Sequence, residues 1–89
     1  MSEAKFIPPA GEALDAAVAR NPRLGERLDE AIDWIEDDPP DVRSKRRAWA
    51  GGRFGIDVHG GGEDYLIVWE DTRPHPRVLY VADPSRLGR

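Results

Sequence analysis

The chain has 89 residues, no cysteine, 39% hydrophobic and 34% charged residues and a formal net charge of −4; this fits one small domain spanning residues 1–89 and leaves no room for a second core. Without cysteine there is neither a disulfide frame nor a thiolate zinc site, so packing carries the stability, as suits a reducing cytoplasm. The longest apolar runs, such as Leu66 to Trp69, fall far short of the ~20 residues of a membrane helix. The amino end lacks a basic region followed by an apolar stretch, so a cytoplasmic location without membrane contact is expected.

In chain order, a short strand is expected over residues 4–7, stopped by Pro8-Pro9, which cannot donate ladder hydrogen bonds. Ala10, Leu14, Ala17 and Val18 then recur at i, i+4, i+7 and i+8, one face of a helix near residues 9–20. Asn21-Pro22 supplies a cap and a first helical residue for a second helix over 22–37. Its apolar stripe is Leu24, Leu28, Ala31, Ile32 and Ile35, and Glu26, Asp29, Glu30, Asp33 and Glu36 form a solvated face. Asp38-Pro39-Pro40 ends it.

Downstream the period falls to two. Phe54, Ile56 and Val58 alternate with Gly55, Asp57 and His59 in a strand over 53–59, three glycines form a hairpin tip, and strands follow over 65–70 and 77–82. The expected fold class is α+β: a helical hairpin packed on an antiparallel β-sheet, order β-α-α-β-β-β. Leu14, Val18, Leu28, Ile32, Ile35, Phe54, Ile56, Ile67 and Leu79 are the expected core.

Charge is unevenly distributed. Residues 1–42 carry four basic and eleven acidic groups, whereas residues 43–89 carry nine and six. Arg43, Lys45, Arg46, Arg47 and Arg53 concentrate five cations within eleven residues around Trp49. Such a segment suits phosphate contacts with an indole stacked on a base; it equally suits a solvated linker that balances the acidic helix, with Trp49 in the core. An acidic chain of pI ≈ 5.1 is no generic nucleic-acid binder.

By alternation His59 points away from the core, and an imidazole there suits acid–base work near neutral pH, or is an ordinary exposed strand-end histidine. His75 sits in a proline-flanked turn. The two histidines lie in different turns with no carboxylate at ligand spacing, so no metal and no cofactor is implied. The triple glycine lacks the lysine, the hydroxyl residue and the following helix of a phosphate loop. Leu66, Val68 and Tyr80 alternate onto the sheet face opposite Phe54, Ile56 and Trp69, which calls for cover either by residues 83–89 or by a partner protein.

The opening Phe6-Ile7-Pro8-Pro9-Ala10, the end of helix two at Ala31-Ile32, Ile35 and Asp38-Pro39, and the strands Tyr65-Leu66-Ile67-Val68-Trp69-Glu70 and Arg77-Val78-Leu79-Tyr80-Val81 together resemble the RelE/ParE family of type II toxin–antitoxin modules. The resemblance covers nearly the whole chain. It implies a toxin with an antitoxin partner that covers the apolar face, and messenger RNA cleavage in the ribosome through basic and aromatic residues on one sheet face. Phe54-Gly55-Ile56-Asp57 replaces the basic pattern usual on the family's second strand, Leu66 and Tyr80 stand where arginines are usual, and Asp83-Pro84 interrupts a basic motif. His59, Arg53 and Arg86 are the candidates left to substitute for the catalytic set. The alternative within the resemblance is a non-nucleolytic, protein-binding toxin of the gyrase-inhibiting type, or a member that has lost toxicity and serves as an interaction module. The oligomeric state is open.

Overall fold

A computed structural model of the chain describes residues 3–37, 47–49, 51–72 and 74–83. Its elements are β1 (Lys5–Phe6), α1 (Pro8–Arg20), α2 (Pro22–Asp37), β2 (Arg47–Trp49), β3 (Arg53–Gly60), β4 (Glu63–Glu70) and β5 (Arg77–Ala82). The fold is the expected α+β arrangement of a helical hairpin on a sheet. The strand order is β1-β5-β4-β3-β2. The β2–β3, β3–β4 and β4–β5 pairs are antiparallel, while the two-residue β1 runs parallel to β5. The short β2, paired through Ala48 to Phe54, adds an edge strand that alternation did not reveal.

Pro8 and Pro9 open α1 rather than merely ending β1. The first turn of a helix leaves its N–H groups without intrahelical partners, so prolines cost nothing there. The Ile7 carbonyl accepts the N–H groups of Ala10 and Gly11 at 3.0 and 3.1 Å. Asn21 joins the helices: its N–H closes α1 on the Ala17 carbonyl at 2.8 Å, and its Oδ1 accepts the Leu24 N–H at 3.4 Å as the N-cap of α2. At the crossing, a Cβ on Gly25 would lie 3.0 Å from Val18 Cα and Cγ2, so only glycine lets the helices approach this closely.

The main core lies between the helices and one sheet face. Leu24, Leu28, Ala31, Ile32 and Ile35 of α2 meet Ile56, Val58, Ile67, Trp69, Val78 and Val81. Phe54 and Trp69 are register partners with ring centroids 5.3 Å apart at 40°. Two core expectations are corrected. Val18 is 38% exposed, because α1 buries Ala10 and Ala17, with Ala13 and Leu14 half-buried beside them, and this face rotates Val18 to its rim. Leu79 is buried on the opposite face with Leu66, Val68 and Ile7, because a register irregularity at Val68/Trp69 shifts the pairing of β4 with β5. Val78 and Val81 then face the helices. No helix among the described residues is long and apolar enough to cross a membrane.

Candidate functional site

Three places on the molecule gather polar side chains. The first is a row across one end of the helix-free sheet face. Register pairs Trp49 with Arg53, Arg53 with Glu70, Glu70 with Arg77 and Arg77 with Lys5, at steps of about 4.8 Å between strands. Glu70 takes Arg77 at 2.6 Å and Arg53 at 3.8 Å. Two cations thus share the Glu70 carboxylate, and Lys5, the third cation of the row, pairs with Glu3 at 3.0 Å. Both arginine side chains remain more than half exposed.

The second lies at the β3–β4 hairpin. Gly61 and Gly62, with φ of 56° and 81°, form a two-residue turn that requires positive φ at both positions. This turn fixes the register, Gly60 opposite Glu63 and His59 opposite Asp64, so His59 Nδ1 meets Asp64 Oδ1 in a short contact. Behind the turn, Arg20 donates to Glu63 at 2.5 Å and to the Tyr65 hydroxyl at 3.0 Å, and Asn21 Nδ2 donates to Glu63 at 2.7 Å and to the Gly61 carbonyl at 3.2 Å. Hydrogen bonds from Arg20, and then from Asn21, hold the Glu63 carboxyl below its usual pKa, and Glu63 raises that of Arg20. These contacts lock the hairpin tip onto the α1–α2 junction.

The third is a groove of about 310 Å³ between α2 and β3, lined by Arg27, Glu30, Ala31, Trp34, Asp57, Val58 and His59. Beside it, a Cβ on Gly60 would fall 2.9 Å from Leu24 Cα and 3.0 Å from Arg27 Cγ. The close approach of β3 to the first turns of α2 brings His59 of β3 and Arg27 of α2 to the same groove. Arg27 reaches Glu30 only at 3.9 Å.

Of the catalytic candidates, His59 and Arg53 occupy opposite ends of β3, about 20 Å apart along a strand, and so do not form one centre. Arg86 lies outside the described residues, as do Arg43, Lys45 and Arg46. Arg47 and Trp49 belong to β2, which brings the end of the basic segment beside Arg53. Leu66 and Val68, expected to need cover from residues 83–89 or from a partner, are 6% and 8% exposed in the small cluster with Leu79 and Ile7, and of the three expected partner contacts only Tyr80, at 49%, is exposed. His75 Nδ1 is buried without a hydrogen-bond partner among the described residues, and Thr72 donates to the His75 carbonyl at 2.6 Å.

Among the described residues no three His, Asp or Glu side chains gather as metal ligands. Sequence reasoning missed Arg27, Trp34, Asp64, Arg77 and Lys5. The two-residue glycine turn would have given the Asp64 pairing; the others depend on how distant elements pack. No protein-family model matches the chain, and no curated protein or solved structure matches it significantly.

Proposed function

We propose that the chain is the toxin half of a type II toxin–antitoxin pair of the RelE/ParE kind, working in the cytoplasm on ribosome-associated messenger RNA, with an antitoxin as its protein partner. The observation that carries the RNA reading is the row Lys5, Arg77 and Arg53 around Glu70, adjoining the strand that leads in from the basic segment. Cations in excess of the one acid within the row, on a face free of helices, suit a phosphodiester backbone. Exposed Tyr80, at the margin of the second apolar cluster, offers an aromatic anchor for the antitoxin. A second reading, a toxin that binds its target without cutting RNA, is favoured by the separation of His59 from Arg53 along β3.

Sedimentation of the purified chain with messenger-programmed ribosomes over a salt series tests the RNA contact. Binding should weaken with salt, and Arg53→Ala with Arg77→Ala should flatten the log–log slope by about 0.7 per lost phosphate contact. Binding that ignores both salt and these substitutions removes the row from the account.

A further inference from the structure

Glu70 is the one acid in the charged row, and it stands at the centre. Its strand β4 lies between β3 and β5, so Glu70 is the register partner of Arg53 on one side and of Arg77 on the other. Oε1 accepts from Arg77 Nη2 at 2.6 Å, and Oε2 lies 3.8 Å from Arg53 Nε. The carboxylate is 18% exposed, whereas the side chains of Arg77 and Arg53 are 51% and 54% exposed. We propose that Glu70 is a specificity-determining residue of the row: it stands in for a phosphate between the two arginines, so that the row refuses isolated phosphates and takes only a strand whose phosphates also reach Lys5. The assignment rests on the RNA-directed reading above and deepens it.

A carboxylate and a phosphodiester offer a guanidinium the same surface, two oxygens that share one negative charge and match its fork of N–H donors. A phosphate arriving between Arg53 and Arg77 therefore competes with an acid already in place, tethered by its own strand at high effective concentration. The competition is uneven. Arg77 is held by a hydrogen bond, whereas the 3.8 Å contact of Arg53 is an ion pair beyond hydrogen-bond reach. Arg53 keeps its donors for a ligand, while the charge of Arg77 is already matched.

Lys5 completes the row from its far end. Three strand steps separate it from Arg53, about 14 Å at the spacing of paired strands, which is more than one phosphate spans. Its pairing with Glu3 joins two side chains that are 57% and 73% exposed, a surface pair that contributes little and opens easily. A free phosphate thus meets Arg53 alone. A strand lying along the row engages Arg53 and Lys5 together, and these linked contacts raise the local concentration of the phosphate between them enough to displace Glu70 from Arg77.

The test uses the full chain, a short labelled single-stranded RNA of mixed sequence, and inorganic phosphate as competitor at constant ionic strength. The parent should bind the RNA with a salt-dependent affinity that phosphate does not reduce. Glu70→Gln keeps the side-chain shape and removes the charge; it should tighten RNA binding about 5-fold, the equivalent of one exposed ion pair, and open it to competition by phosphate. Glu70→Asp retains the charge but, one methylene shorter, releases Arg77, and should move both readouts in the same direction. In an Arg77→Ala background Glu70→Gln should change affinity by less than ~2-fold, which separates the pairing from a change in net charge. Asp33→Asn, exposed on α2, is the charge control, and thermal melts establish that each variant is folded. Salt-dependent binding that folded Glu70→Gln and Glu70→Asp leave unchanged or weaken overturns the role of Glu70 and leaves the RNA-directed reading standing. Competition by phosphate against the parent overturns that role whether or not the variants fold. Binding by neither the parent nor Glu70→Gln overturns both.

Discussion

Trp69→Ala should lower the unfolding free energy by about 3–5 kcal/mol, the range for removing a fully buried aromatic side chain. Trp69 is completely buried in β4, which has strands on both sides, and it packs on its register partner Phe54. No neighbour is placed to collapse into the gap, because the β4 backbone is held by ladders on both edges. A urea titration checks this through the midpoint at constant slope. A loss below about 1 kcal/mol would mean that the indole is not the centre of the core.

Leu66→Glu should cost about 3 kcal/mol or more, since it drives a carboxylate into a small apolar cluster with no partner for the charge. Leu66, Val68 and Leu79 bury one another on the helix-free face, with Ile7 packed against them. Tyr80→Glu on the same face is the control, and at 49% exposure it should change stability by no more than about 0.5 kcal/mol. Thermal melts of the two variants separate a covered cluster from an open partner surface. Equal, small shifts would show that Leu66 stands open after all.

Helix α2 was readable from its sequence because Leu24, Leu28, Ala31, Ile32 and Ile35 repeat at helical spacing on a strongly charged background, which only one orientation satisfies. Strand β3 was readable for the matching reason at period two. The Leu79 face was not, because Val78-Leu79-Tyr80-Val81 is apolar on both faces and one irregularity in pairing decides which residues turn inward. Val18 failed similarly: the small residues Ala10, Ala13 and Ala17 define the real contact face of α1, and hydropathy underweights them. Strand β2 is three residues long, too short for alternation to register.

For the site, the position of His59 on the outward phase of β3 was legible, but its neighbours were not. The cation beside it comes from α2, brought close because Gly60 lacks a Cβ, and not from Arg53 on the same strand. The row Lys5, Arg77, Glu70, Arg53 depends on the registers of three strand pairs, including the parallel β1–β5 pair between chain segments some seventy residues apart. Spacing along the chain carries no trace of such an alignment.

The proposed function makes this chain a toxin directed at translated messenger RNA. Inducing it in bacteria while mapping transcript 5′ ends tests that claim most directly. The account predicts growth arrest, new ends confined to coding regions and dependent on translation, and relief of both effects by a co-expressed antitoxin. Normal growth with unchanged transcript ends, from a folded and soluble protein at comparable abundance, would contradict it.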